Sequence, residues 1–451
     1  MSATALEQCL QKMRDADISQ AAIDNFHHYW QLCADGATGL IREDTITPLL
    51  DPPQLAEVEI SDADQCDALS KTVIIKLNGG LGTSMGLDRA KTLLSVRDGK
   101  NFLDLIVGQV KYARAQFGVR LPLVFMNSFR TREDTLAHLA NHPDIVVDGL
   151  PLDFLQNAEP KILASDLSPV SWPADPSLEW CPPGHGDLYP ALWGTGLLDA
   201  LVDAGFRYAS VANGDNLGAA PDARLAGWFA ASGAPYAAEV CPRTINDRKG
   251  GHLAIRRADG QLILRDTAQT APEEMDYFTD EHRHPYFHAN NLWLDLVQLR
   301  NILAERKGVL GLPLIRNEKT VDPADSSSPK VLQLESAMGA AIEVFQGATA
   351  IAVGRDRFLP VKTTNELLLL RSDVFNLGAD GRLVSQVERI PEIDLDSHYK
   401  LVDDFDDLVK VVPSLRDAES LRVRGEWHFD APSAVVGNVQ LDDPGTPANY
   451  Q

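Results

Sequence analysis

Four stretches of the chain combine glycines, cations and polar side chains in ways suited to a phosphorylated substrate. The first, KLNGGLGTSMGLDRAK over residues 76–91, runs an apolar strand into Gly79, Gly80, Gly82 and Gly86 and reaches Lys91 before the next helix. Glycines let backbone amides approach a phosphate or a base, and a lysine adds a point charge. The spacing matches neither GxxxxGK[ST] nor GxGxxG, so this is not a P-loop or a dinucleotide fingerprint. The plain alternative is a tight strand-to-helix turn with an exposed lysine. In the second stretch, WCPPGHGDLYPALWGTGLLDAL, two prolines stiffen the approach to His185 and glycines flank it, ahead of a helix that could start beside the same place. A solvated loop histidine is the alternative. The third, VANGDNLG over residues 211–218, sets Asn213, Gly214, Asp215 and Asn216 at the end of a strand. Open α/β sheets bind ligands at that edge, and one carboxylate there suits Mg²⁺, which takes few carboxylates plus phosphate oxygens. An Asx-turn would look the same. In the fourth, RDRFLPVKTTNELLLL, Lys362 follows Pro360 at the mouth of a helix, and the alternative is a surface lysine capped by Thr363 or Thr364.

These residues need a frame. A length of 451 residues predicts two or three domains, and 44% hydrophobic with 23% charged residues is the composition of a soluble globular protein. No apolar run approaches the roughly 20 residues of a membrane span, and the N-terminus has no signal-peptide core. Five scattered cysteines without CxxC spacing predict neither disulfides nor a zinc site, and fit a reducing cytoplasm. Lys+Arg 41 against Asp+Glu 64 gives a net charge of −23, which opposes binding to nucleic acid or anionic membrane. One triphosphate can still be neutralised locally by aimed lysines, amides and a metal ion.

Apolar periodicity predicts two helices over residues 5–34, the second capped by Ser19 and closed by Gly36 and Gly39. From residue 72, strands (TVIIKL, PLVFMN, FRYASVAN) alternate with helices (FLDLIVGQVKYARAQFG, TREDTLAHLANH, PDARLAGWFAAS), which predicts a mostly parallel sheet covered on both faces. EKTVDPADSSSPK over 318–330 reads as a loop, 360–374 as helical, and 421–441 as short turns of β structure.

In this order the motifs resemble the UDP-glucose pyrophosphorylase family of the eukaryotic type, also called UTP–glucose-1-phosphate uridylyltransferase. The resemblance runs from NFHHYWQLCADGATGLIREDTI through KLNGGLGTSMG, FMNSFRTREDTLAHL, PPGHGDLYPAL, NGDNLGA, KGGHLAI, NNLWLDL and KVLQLESAMGAAIEVF to RFLPVKTTNELLLLRSD. It implies an α/β fold with a glycosyltransferase-A-like (Rossmann-like) nucleotidyltransferase domain over 66–385. A helical segment over 1–65 would precede it, and a short, truncated left-handed β-helix over 386–451 would follow. Leu77, Asn78, Gly79, Gly80, Met126, Gln156 and Gly184 would hold the uridine, and Lys91 and Lys362 would be the catalytic phosphate lysines. Asp215 would bind Mg²⁺. His185, Asn213, Gly214, Gly251, Asp266, His288 and Asn290 would face the sugar phosphate. Arg89-Ala90 stands where the family has Gly-Pro, Asp266 where it has Glu, and His288 where it has Asn. The implied reaction is in-line attack of a sugar 1-phosphate oxygen on the α-phosphorus of UTP, with no general base because the nucleophile is already ionised. The implied partners are UTP and a sugar 1-phosphate, in a cytoplasmic protein with room for a homo-oligomer. Rival readings are the same chemistry on galactose or N-acetylhexosamine 1-phosphate, and a silent nucleotide-sugar sensor.

Overall fold

The structure, a computed structural model, describes residues 2–244, 247, 248 and 250–450. Seven strands form the central sheet: β1 (Thr72–Asn78), β2 (Leu123–Asn127), β3 (Asp153–Leu155), β4 (Tyr208–Asn213), β5 (Tyr236–Pro242), β6 (Tyr286–Asp295) and β7 (Thr349–Ala352). Their order in space is β7-β5-β6-β4-β1-β2-β3. Every neighbouring pair is parallel except those that involve β6, which runs against both β4 and β5. The alternating runs therefore do form a mixed α/β fold around a mostly parallel sheet.

Side chains alternate across each strand, and both faces are covered, so the strands read as unbroken apolar runs. On one face Val73, Ile75, Val124 and Leu294 meet Met13, Phe26 and Trp30 of α1 (Ser2–Asp15) and α2 (Gln20–Ala34). The Ser19 hydroxyl accepts from the Ala22 N–H to start α2, and Gly36 and Gly39 follow it at positive φ. On the other face Ile74, Phe125 and Trp293 meet α3 (Phe102–Phe117), α4 (Ala223–Ser232) and α5 (Thr364–Arg371). The same core takes in Phe405, Leu421 and Val423 from the C-terminal part. There β8 (Glu392–Leu395), β9 (Ala418–Val423) and β10 (Gly437–Leu441) stack as a parallel ladder. Among the described residues no helix is long and apolar enough to cross a membrane.

Two local expectations fail. Residues 318–330 are not all loop, because Ile315–Thr320 pairs antiparallel with Lys330–Glu335. IRNEKT carries too few apolar residues to show a strand period; pairing with the more buried KVLQLE makes it one. The glycine stretch also does not run straight into a helix. Leu81 bridges Ala90, the Lys91 N–H reaches back to the Gly80 carbonyl (3.3 Å), and a single 3₁₀ turn, Lys91–Leu93, follows. Helix α3 starts only at Phe102, so the loop doubles back on itself and sets Lys91 over its own glycines.

Candidate active site

The parallel strands β1, β2 and β4 end in Asn78, Asn127 and Asn213, and two connected chambers open at that edge of the sheet. One, of about 320 Å³, is lined by Leu77, Asn78, Gly79, Gly80, Lys91, Met126, Gln156 and Gly184. The other, of about 370 Å³, is lined by Gly251, Asp266, His288, Asn290 and Lys362. His185, Asn213 and Asp215 line both. Gly214 lines neither. Its N–H donates to the Leu77 carbonyl (2.8 Å), and a Cβ would lie 2.9 Å from that oxygen, so its role is to let β4 close against the end of β1.

Local chemistry explains how each wall is held. Around the first chamber a Cβ on Gly79 would lie 2.3 Å from Gln156 Oε1, so glycine here lets the Gln156 side chain lie against the loop, and a larger residue would make that amide shift. The Asn78 amide is fully engaged behind the loop. It donates to Asn127 Oδ1 (2.8 Å) and Thr135 Oγ1 (2.9 Å) and accepts from Thr92 Oγ1 (2.6 Å), tying β1, β2 and the Lys91 turn together. The buried Asp187 carboxylate accepts from both Asn157 N (2.6 Å) and Asn157 Nδ2 (2.8 Å), which pins the turn after Gln156; burial pushes its pKa up to about 7.

At the junction, Lys91 Nζ donates to Asp215 Oδ2 at 2.7 Å. The Met338 N–H donates to His185 Nδ1 (2.9 Å), which leaves the proton on Nε2. His185 is exposed to both chambers, yet the protein around the ring desolvates it and holds its pKa below the ordinary imidazole value. It is a neutral donor. Gly184 lies at φ +76°, where a Cβ would come within 2.6 Å of the Ser336 carbonyl, and at Gly186 a Cβ would lie 2.2 Å from Ser336 Oγ. The glycines around His185 thus serve close packing on residues 335–338.

In the second chamber a β-bulge presents Asn290. Ala238 pairs with Leu292 and Val240 with His288, so residues 289–291 face Glu239 alone. Asn290 takes the left-handed conformation (φ +58°), which asparagine tolerates, and its Nδ2 lies 3.4 Å from Asn213 Oδ1. Lys362 is exposed at the start of α5, which Thr363 caps reciprocally with Glu366. Among the described residues no carboxylate lies within ion-pair distance of Lys362, unlike Lys91.

A two-chamber cleft with one lysine on each side suits the joining of two phosphorylated molecules, and comparison with known proteins gives the family. The profile described as UTP--glucose-1-phosphate uridylyltransferase matches residues 23–435. The chain belongs to this family. A relative of that name from Solanum tuberosum is 37% identical over 393 residues, 86% of this chain and 80% of its own length. One from Saccharomyces cerevisiae is 39% identical over 399 residues, 86% and 77% of the two chains. Among solved structures, a mutant UDP-glucose pyrophosphorylase from Leishmania major in complex with UDP-glucose matches with a TM-score of 0.92 at 42% identity, covering 99% of this chain and 97% of that one. A UDP-glucose phosphorylase from Trypanosoma brucei matches with a TM-score of 0.91 at 42% identity, with the same coverage.

In this member of the uridylyltransferase family, motif reading overlooked several residues. Thr92 and Pro182 line the first chamber, and Asp247, Phe287 and Phe358 the second. Thr92 follows Lys91 directly and Pro182 lies inside a quoted motif, so a signal was present; Asp247 carries none. Also overlooked was the brace between the two sides of the cleft. Asn216, next to Asp215, donates to the Arg357 carbonyl (3.1 Å) and to Asn291 Oδ1 (3.0 Å) and accepts from the Leu359 N–H (2.8 Å). Arg357 in turn makes two bonds to the buried Glu239 (3.0 and 2.8 Å), which also receives Asn291 and Trp293. Asp215 and the segment leading to Lys362 are thereby held in one register.

His288 gives the site a pH signature. Burial lowers its pKa from 6.5 to about 3, and Nδ1 accepts from the Asn290 N–H (3.2 Å). The unfolded chain takes up this proton near pH 6.5 and the folded chain only near 3, so folding stability falls as pH drops through that window. One such group contributes at most about 1.4 kcal/mol per pH unit. In urea unfolding at pH 7 and pH 5, His288→Gln is expected to lose less stability on acidification than the wild type. Equal losses in the two proteins would remove His288 as the source.

Proposed function

We propose that this chain transfers the uridylyl group of UTP to glucose 1-phosphate, forming UDP-glucose and releasing pyrophosphate. The observation that carries this reading is the pair of chambers joined at His185, Asn213 and Asp215, with Lys91 lining the first and Lys362 the second. Uracil and ribose fit the first chamber, against Leu77, Asn78, Gly79, Gly80, Met126, Gln156 and Gly184. The hexose fits the second, against Gly251, Asp266, His288 and Asn290. His185 donates from Nε2 to the sugar phosphate beside Asn213, and Lys91 and Lys362 hold the reacting phosphates. A phosphate oxygen of the sugar 1-phosphate then attacks the α-phosphorus in line, and the bond to the departing pyrophosphate breaks. The nucleophile is already ionised, so positioning and charge stabilisation carry the rate.

The donor set fits Mg²⁺, because Asp215 offers a single partly exposed carboxylate at the junction and the triphosphate would supply the other oxygens. When bound, the ion screens the phosphate charge and polarises the reacting oxygens. Asp215 would hold the ion, and Lys91, which lies beside it, would serve the triphosphate.

The finer architecture belongs to the same reading: a glycosyltransferase-A-like unit over 66–385, preceded by the helical segment 1–65. A short left-handed β-helix over 386–451, built on the parallel β8–β10 ladder, would follow. Five free cysteines support a cytoplasmic protein, and a homo-oligomer is compatible with it.

A pyrophosphate-release assay tests the function, with UTP, TTP, ATP and GTP against glucose, galactose and N-acetylglucosamine 1-phosphates, each with and without Mg²⁺. UTP with glucose 1-phosphate and Mg²⁺ should be the best combination, and galactose 1-phosphate a minor substrate. Asp215→Asn should lower turnover and raise the Mg²⁺ needed for half-maximal rate. Equal turnover with a purine triphosphate, or preference for galactose 1-phosphate, would overturn the assignment. No turnover with any pair would favour the silent sensor.

A further inference from the structure

Away from both chambers, three side chains from separate segments converge on one point. His138 lies at the end of the helix Arg132–Leu139, His142 just beyond it, and Asp104 in the first turn of α3. Asp104 Oδ1 lies 2.8 Å from His138 Nε2 and 3.0 Å from His142 Nε2, and all three donor atoms lie within 4.8 Å of one another. We propose that Asp104, His138 and His142 form a structural site for a borderline divalent cation, Zn²⁺ foremost, separate from the Mg²⁺ of the reaction.

The donor set and the support around it carry this assignment. Two imidazole nitrogens and one carboxylate oxygen suit Zn²⁺ and its neighbours in the Irving–Williams order, not Mg²⁺, which prefers oxygen ligands. Ligands about 2.0–2.2 Å from a tetrahedral ion sit roughly 3.3 Å apart, and Asp104 Oδ1 already lies 2.8 and 3.0 Å from the two imidazole nitrogens. The carboxylate is already oriented, because its other oxygen, Oδ2, accepts from the Asn101 N–H (3.0 Å) and completes the cap of α3. Asn101 Nδ2 approaches His138 Nε2 as well (3.3 Å). The side chains are 21–24% exposed, which gives a cation a path in while the protein screens part of the site. On binding, each imidazole presents a bare Nε2 to the ion and carries its proton on Nδ1.

The ion would join the start of α3 to the helix 132–139. That helix carries Thr135, which accepts from the Asn78 amide at the base of the glycine loop. Occupancy would therefore stabilise the scaffold behind the first chamber without entering it.

The test uses the full chain, stripped of metal by chelation and dialysis, with Zn²⁺ titrated calorimetrically and Co²⁺ as a spectroscopic probe. One equivalent of Zn²⁺ should bind and raise Tm, and Co²⁺ should give the visible absorption of a low-coordinate nitrogen–oxygen site. In His138→Gln/His142→Gln binding should weaken at least about 100-fold and the Tm rise should vanish. Metal-free Tm and Mg²⁺-supported turnover should stay close to wild type, which shows that the variant folds. The single variant His142→Gln, placed beyond the helix, serves where the double variant does not fold. Undiminished binding in either variant, or no stoichiometric Zn²⁺ binding by the wild type at about 100 μM, would reduce the cluster to a hydrogen-bonded helix cap and overturn the proposal.

Discussion

Lys362→Ala should lower kcat by a factor of about 10² to 10³ while leaving Tm close to that of the wild type. The side chain is exposed, has no carboxylate within ion-pair distance among the described residues, and lines the second chamber, whose lining also includes Asp215. Its removal therefore breaks no contact that supports the fold. In the proposed mechanism the change removes a cation aimed at phosphate charge that develops during transfer, a loss expected in kcat rather than in KM alone. Lys362→Arg should recover only part of the rate, since a planar fork replaces a compact point charge. Lys91→Ala should fall by a comparable factor, although that change also strips Asp215 of its partner at 2.7 Å, so its KM for UTP is expected to shift too. Steady-state kinetics with both substrates varied separate these effects. Near-normal kcat in Lys362→Ala would return that residue to the status of a surface lysine.

Glu239→Ala should cost about 3–5 kcal/mol of folding stability. Glu239 is fully buried at the β-bulge, and removing it leaves the Arg357 guanidinium, itself buried, without its hydrogen-bonded ion-pair partner and with only the more distant charges of Asp222 and Asp356. The Trp293 indole loses its acceptor in the same step, and the Asn291 amide is left with the Arg357 carbonyl alone. Chemical denaturation of the two proteins measures the difference, and a loss below about 1 kcal/mol would mean that the pair does not hold the segment. Where Glu239→Ala folds, kcat should also fall, because Arg357 and Asn216 fix the segment 357–362 relative to Asp215. Glu239→Gln keeps the shape and one acceptor, so it should retain more of both stability and rate.

Much of this site was legible before any coordinates. The apolar runs at 72–78, 123–127 and 208–213 carry a buried-strand signature that needs no neighbour to interpret, and the helices between them imply parallel pairing. Gly79, Gly80, Lys91, His185, Asp215 and Lys362 each have a plain structural reading when taken singly, and they stand out because the motifs that hold them occur together in the order of the family. Where a residue's role depends on a distant segment, the reading stopped. The chain alone could not tell that the Asn78 amide is locked to Asn127, Thr135 and Thr92, or that Gly214 is a packing glycine.

The amino-acid sequence by itself determined the α/β class of fold, through local periodicity, and the family, through the ordered motifs; the edge of the sheet and the nucleotide site are what the strand ends and that resemblance imply. Only the tertiary structure decided the strand order with β6 reversed, the left-handed turn at Asn290, the neutral state of the buried His288, and the Asn216–Arg357–Glu239 brace. Each of these arises from burial or from contacts between segments far apart in the chain. Burial sets the proton affinity of an imidazole and the cost of an unpaired charge, and no local pattern of residues encodes it.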